Sequence, residues 1–244
     1  MFTTNDGSIS LKSLQFNETY HSKFGAVNES KHVFINAGLQ ERYKQFPKKS
    51  AKLHVFEMGF GTGLNAVLAL QWAEDMKFPI VYHAIELFPL HEKQLNALNH
   101  ADFVADKLRE KVYQIQHSDF CRGEFVGVGL KHASTVGISP YFSIKKQQIS
   151  LLDIVGVENF RPLPDNYFDV IFFDAFSPNV QPELWTENVF RKLYNASRKN
   201  AILMTYCVKG EVRRALKNAG FSVEKIPGPV GKREITRAIK RLNN

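Results

Sequence analysis

Val55-Phe-Glu-Met-Gly-Phe-Gly-Thr-Gly-Leu-Asn65 is the stretch on which the reading of this chain turns. The apolar run Leu53 to Phe56 breaks into three alternating glycines, Gly59, Gly61 and Gly63. A helical spacing of Leu64, Val67, Leu68 and Trp72 follows at once. Strand, tight turn and helix in that order bring backbone, rather than side chains, up to a nucleotide-like ligand. The glycines stand one residue closer than in G-x-G-x-x-G, the turn that seats a pyrophosphate on a helix N-terminus.

Outward from this turn, strands and helices alternate, which predicts an α/β fold with a largely parallel sheet. Ile80 to Ile85 reads as a strand running into Glu86, and Pro89 to His100 as a helix. The span 101–150 is less regular and reads as an insertion, with Tyr113 to His117 and Tyr141 to Ile144 as a pair of strands. Ile149 to Leu152 predicts a short strand ending at Asp153. Phe168 to Phe173 is the nearly continuous apolar run of a central parallel strand. Pro182 suits the first turn of a helix that carries Trp185, Val189, Leu193 and Ala196 on one face. Ala201 to Tyr206 follows as a strand, and Glu211 to Ala219 as a helix that Gly220 ends. Phe221 to Ile226 and Glu234 to Ile239 close the chain as an antiparallel pair. Residues 1–50, with a strand in Ser8 to Phe16 and a helix over Asn28 to Leu39, form an N-terminal extension to a domain over 51–244.

Composition narrows the function. The chain has 244 residues, 44% hydrophobic and 23% charged, and no run near the ~18 apolar residues of a membrane span. Its N-terminus lacks a basic region leading into an apolar one, and Cys121 and Cys207 form no metal or disulfide pattern. A reduced cytoplasmic protein without a bound metal is the expectation. The net charge of +8 is uneven. Residues 191–244 hold 14 Lys and Arg against three acids, a net +11, while the rest hold 18 against 21, a net −3. That asymmetry suits a docking polyanion such as nucleic acid; a solvated basic face is the alternative.

The second decisive segment is Asp169-Val-Ile-Phe-Phe-Asp-Ala-Phe-Ser-Pro-Asn179 with Gln181-Pro-Glu-Leu-Trp185. Asp174 ends a buried strand at the carboxyl edge of the sheet, where α/β proteins bind ligands. The tight G-x-G-x-G turn resembles the S-adenosylmethionine (SAM) loop of class I methyltransferases. Both segments together resemble the MnmD/MnmC methyltransferase family, which completes 5-methylaminomethyl(-2-thio)uridine at the wobble position of tRNA. Further matching strings are Asp6-Gly-Ser8, Glu18-Thr-Tyr-His-Ser22, Glu29-Ser-Lys-His-Val-Phe-Ile35, Thr205-Tyr-Cys-Val-Lys-Gly210, Val212-Arg-Arg-Ala-Leu216 and Gly231-Lys-Arg-Glu234. They cover nearly the whole chain, and its end at Asn244 looks like the form without the family's flavin-dependent partner domain. The resemblance implies a Rossmann-like sheet of seven strands, mostly parallel, with SAM as methyl donor and the tRNA anticodon loop as partner.

Individual residues then take candidate roles. Glu86, after the second core strand, suits the ribose hydroxyls of an adenosine. Asp153, by the resemblance, meets the adenine amino group. Glu57 and Asn65 flank the turn and either contact the methionine part of SAM or orient the loop. Asp174 is the candidate catalytic residue. An alkylamine of pKa near ~10 is mostly protonated at neutral pH. A strand-end carboxylate can aim the amine at a methyl carbon and take its proton. Phe176 and Tyr206 suit stacking on a splayed base, with core packing as their alternative. Tyr20, His21 and Glu29, by the resemblance, close over the site. Lys209, Arg213, Arg214, Lys232 and Arg233 are candidate phosphate contacts.

Two other readings share these residues. Aminopropyl transfer of the spermidine-synthase type uses a similar architecture, but a net charge of +8 disfavours a polycationic substrate. A non-catalytic tRNA-binding protein with a retained SAM fold is disfavoured by an intact glycine turn accompanied by Glu86 and Asp174.

Overall fold

The computed structural model describes residues 1–46, 52–121, 135–150, 152 and 163–241. Eight strands form one sheet: β3 (Leu53–Met58), β4 (Ile80–Glu86), β5 (Val136–Ser139), β6 (Phe142–Gln148), β7 (Phe168–Phe173), β8 (Ser197–Thr205), β9 (Ser222–Pro227) and β10 (Glu234–Ile239). Their order is β5-β6-β4-β3-β7-β8-β10-β9. β6, β4, β3, β7 and β8 run parallel, and β10 lies antiparallel between β8 and β9. The seven expected strands are joined by an eighth, β5, antiparallel on the outer edge of β6. Chain order reverses across β3 and β7. Parallel strands on either side of that switch point end at the same edge and open a crevice there.

β3 and β7 are buried along their whole length, as central strands covered on both faces are, with His54, Glu57 and Asp169 the polar residues among them. One face packs under the helices Leu64–Met76 and Arg109–His117, with Leu68, Val112 and Ile115 inward. The other packs under Glu187–Ala196 and Gly210–Asn218, with Val189, Leu193 and Leu216 inward. The N-terminal extension adds a small hairpin, β1 (Phe2–Thr3) with β2 (Ile9–Ser10), and a continuous helical rod. The rod runs Ala26–Ser30, then π-helical Lys31–Gln40, then Glu41–Lys44. It crosses close to β8: a Cβ at Gly38 would stand 2.8 Å from the Met204 Cγ. No helix among the described residues is long and apolar enough to cross a membrane.

Several sequence expectations are corrected. Tyr113 to His117 lies in the helix Arg109–His117, not in a strand, because Val112, Ile115 and Gln116 point inward at helical spacing. The third core strand is β6, Phe142–Gln148, rather than Ile149 to Leu152. The span 101–150 therefore contains a core strand and is not wholly an insertion. Strand pairing in Ser8 to Phe16 is confined to Ile9–Ser10 and a single bridge from Lys12 to Thr19. Pro89 to His100 holds only the one-turn helix Glu92–Leu95, followed by a 3₁₀ turn at His100–Phe103.

Candidate active site

The turn after β3 works because its three glycines take left-handed backbone conformations, with φ of 87° at Gly59, 51° at Gly61 and 77° at Gly63. At Gly59 a side chain is excluded twice over, since a Cβ would also lie 2.8 Å from the Asp174 carbonyl oxygen. The turns after β3 and β7 thus touch backbone to backbone. The Asp174 N–H donates to the Met58 carbonyl at 3.0 Å, and the Gly59 and Phe60 N–H groups donate to the Ile85 carbonyl at 3.1 and 3.2 Å. Glu86 closes the loop: its carboxylate accepts the Gly61 N–H at 2.9 Å and the Phe88 N–H at 2.9 Å. Burial nonetheless pushes its pKa above the usual carboxylate value. Each oxygen keeps a further lone pair for a hydroxyl donor.

Asn65, in the first turn of the following helix, ties two carboxyl groups together. Its amide nitrogen donates to Glu57 Oε1 at 2.9 Å and to Asp174 Oδ2 at 2.9 Å. Glu57 is 0% exposed and does not line the cleft. Burial pushes its carboxyl well above the usual carboxylate range, against the pull of the Asn65 amide. Asp174 faces the cleft. Burial raises it to about 7 against the pull of the Asn65 amide, with the Glu29 charge adding to the rise. A carboxyl poised near neutrality can hold an amine by hydrogen bond and exchange a proton with it. The Asn65 Oδ1 atom is buried without a hydrogen-bond partner among the described residues.

The cleft, about 610 Å³, lies between these turns and a cover made from the N-terminal segment. Tyr20 lies over Gly61 and meets Phe176 edge-on at 5.2 Å, and Phe16 bridges Phe176 at 4.7 Å to Phe88 at 5.9 Å. Glu18 pins the cover to the turn after β7, accepting the Ser177 hydroxyl at 2.5 Å and the Ser177 N–H at 3.1 Å. Burial, with the Glu86 charge, pushes the Tyr20 phenol up to about 12. His21 shares a hydrogen bond with the Ser10 hydroxyl at 2.9 Å, and burial pushes it down to about 4, so it is neutral. Glu29 accepts the Ser22 N–H at 3.1 Å and pairs with Lys232. The Lys232 ammonium stands 4.5 Å over the Tyr206 ring, and the Tyr206 hydroxyl donates to the Ala175 carbonyl at 2.9 Å.

The structure gathers Tyr20, His21, Glu29, Gly59, Gly61, Asn65, Glu86, Asp174, Phe176, Tyr206 and Lys232 around one cleft. Lys232, expected among the phosphate contacts, lines the cleft, because the loop between β9 and β10 folds back to meet Glu29. Gly63 packs beneath Phe60 rather than against the open space. Lys209, Arg213, Arg214 and Arg233 lie outside the cleft; Lys209 donates to the Asn179 side chain at 2.6 Å. Trp185 is core, its indole N–H held by the Phe176 carbonyl at 2.9 Å. Asp153 lies outside the described residues. Phe16, Glu18, Phe88 and Ser177 were not singled out in the sequence. Of these, only Glu18 and Ser177 fell inside strings that had been, and nothing local marked them as partners across 159 positions.

Residues 139–241 match the family described as S-adenosyl-L-methionine-dependent methyltransferase. The tRNA 5-methylaminomethyl-2-thiouridine biosynthesis bifunctional protein MnmC of Leptospira interrogans is 30% identical over 228 residues, covering 91% of this chain and 32% of that protein. Its counterpart in Azoarcus sp. is 31% identical over 233 residues, covering 92% and 33%. The chain therefore spans only 32–33% of the length of these curated relatives. Among solved structures, MNMC2 from Aquifex aeolicus superposes with a TM-score of 0.67 at 24% identity, over 97% of this chain and 68% of that one. The CurJ carbon methyltransferase follows at 0.50 and 12%, over 91% and 57%. These likenesses establish the class I SAM-dependent methyltransferase fold.

Proposed function

We propose that this chain is a SAM-dependent methyltransferase of the MnmC type and that its cleft methylates the 5-aminomethyl group of the wobble uridine in tRNA. The observation that carries this is Asp174: a carboxyl near neutrality at the end of β7, oriented by Asn65 beside the glycine turn. SAM supplies a methyl carbon on a sulfonium, which departs as a neutral thioether when an amine takes the methyl.

The residues present fit that donor. The glycine turn offers bare backbone, Glu86 offers carboxylate lone pairs for two ribose hydroxyls, and the unpartnered Asn65 Oδ1 offers an acceptor for the donor's amino group. Asp174 then hydrogen-bonds the substrate amine, aims its lone pair along the cleft, and takes the proton that the amine must lose. Tyr20 and Phe16, pinned through Glu18, exclude water above the turn. Phe176 and Tyr206 line the part of the cleft that an unstacked base would enter. Arg213, Arg214 and Arg233 supply positive charge for the RNA backbone outside the cleft. Such an enzyme acts in the cytoplasm, where tRNA is modified.

Two measurements bear on this reading. Purified protein with methyl-labelled SAM should label tRNA carrying 5-aminomethyluridine and leave tRNA with an unmodified wobble uridine unlabelled. SAM binding without transfer to the aminomethyl tRNA would overturn the assignment. Separately, Glu86→Gln should weaken SAM binding about 10-fold, ~1.4 kcal/mol, by removing a charge-assisted acceptor. An unchanged Kd by calorimetry would place the ribose elsewhere.

A further inference from the structure

We propose that Phe24, mounted on the loop between β9 and β10, stacks a base adjacent to the reacting nucleotide in a single-stranded RNA segment. This rests on the RNA reading above and extends it beyond the cleft. Phe24 is 54% exposed, yet it is held in place. Its N–H donates to the Ser22 hydroxyl at 3.2 Å, and the Gly25 N–H donates to the Ser22 carbonyl at 3.3 Å. The ring lies directly on the backbone of Gly231: a Cβ there would stand 2.5 Å from the Phe24 Cδ2. Gly231, at φ 86°, takes that close approach where other residues are strained.

The mount is itself fixed. The Gly228 N–H donates to the Arg233 carbonyl at 3.1 Å, the Lys232 N–H to the Pro229 carbonyl at 2.9 Å, and His32 Nε2 bonds the Pro227 carbonyl at 2.8 Å. Next to Gly231, Val230 is 82% exposed and adds apolar surface. Ser22 and Lys232, which line the cleft, stand two residues from Phe24 and one from Gly231 along the chain. The ring thus rests on a loop, and follows a segment, whose neighbouring residues line the cleft. Exposed cations flank it in sequence: Lys23 beside Phe24, Arg233 two residues past Gly231, and Lys31 at the N-terminal end of the π-helical stretch.

Exposed rings accompanied by cations are how proteins read single strands: charge follows the phosphates and the ring takes a base. With the reacting nucleotide splayed into the cleft, the neighbouring base of the strand lies outside it. Phe24 is the preorganised ring for that base. Ordering it on binding costs little, because its backbone and underside are already fixed.

The test uses anticodon stem-loop RNAs with 2-aminopurine at the nucleotide before or after the wobble position. The parent protein should quench one of the two, which stacking on a ring produces. Phe24→Ala should abolish the quench and weaken stem-loop binding about 5- to 150-fold. Phe24→Leu, which keeps apolar cover over Gly231 and guards against a folding artefact, should lose the quench as well, while Phe24→Trp should retain it. Unaltered SAM affinity and melting temperature would show that each variant is folded. Parental quenching and affinity in the Ala and Leu variants would overturn the proposal while leaving the tRNA reading intact. A parent protein that binds SAM but no stem-loop would overturn both. Loss of vesicle binding in Phe24→Ala with unchanged RNA binding would assign the ring to a membrane surface instead.

Discussion

Asp174→Ala should cut methyl transfer about 100-fold or more while leaving SAM binding nearly intact. General-base contributions run roughly 10²–10⁴-fold, and positioning of the amine is lost with the same side chain. The pH dependence carries a sign that separates these effects. Burial lifts the folded-state pKa of Asp174 from 3.8 to about 7, so the carboxylate forms only as pH rises through about 7. The single-turnover rate of the parent should rise over that window, as both the carboxylate and the free amine become populated. Asp174→Asn keeps the Asn65 contact in shape but cannot ionise. It should lose the inflection near 7 and stay slow at high pH if orientation and proton acceptance both matter. Full recovery of Asp174→Ala at high pH would reduce the role of the carboxylate to proton removal; near-normal activity at neutral pH would remove it from the reaction.

Stability has its own sign here. A carboxyl whose pKa is raised by folding holds its proton more tightly in the native state. Its ionisation therefore destabilises the fold progressively as pH rises from about 4 through about 7. Asp174→Asn should thus be at least as stable as the parent above pH 7. A large loss of stability in that variant would mean that the carboxylate is structural.

Asp169→Ala, at the other end of the same strand, should lower the unfolding free energy by about 3–5 kcal/mol. Asp169 is 0% exposed and accepts from Arg42 at 3.3 Å, Arg198 at 2.8 Å and the His54 N–H at 3.0 Å. It joins the N-terminal helical rod, β3 and β8 at the amino edge of β7. Removing it leaves the buried Arg42 guanidinium and a strand N–H without their acceptor, which is the costly way to break a buried pair. Urea denaturation with an unchanged slope would measure this directly. A loss below about 1 kcal/mol would show that water or another carboxylate replaces it.

These two aspartates show what was legible in the sequence. Asp174 could be read because its meaning is local: an apolar strand ends on it, and a proline-fixed turn follows. The glycine turn was legible for the same reason, since left-handed backbone leaves glycine as its trace. Asp169 stands inside the same quoted string, but its ion pairs reach 127 and 29 positions along the chain and leave no local sign. Only the first half of β6 is legible, as the strand Tyr141 to Ile144, because Lys145, Lys146 and Gln147 fill its second half, a composition that reads as surface. Tertiary contacts overturn that reading for Lys146. Its ammonium donates to the Ile115 and Gln116 carbonyls and lies over the Phe60 and Phe120 rings. The place of Lys232 is not legible in the sequence either, because only the folded hairpin loop brings it to Glu29. The helix Arg109–His117 was misread because Val112, Tyr113 and Ile115 fit a short strand pattern nearly as well as a helical one.

The most direct test of the central claim is nucleoside analysis of tRNA from cells that have lost this protein. 5-Aminomethyl(-2-thio)uridine should accumulate at the wobble position, restored to the methylated nucleoside by the parent gene and not by the Asp174→Ala variant. An unchanged wobble profile in its absence would contradict it.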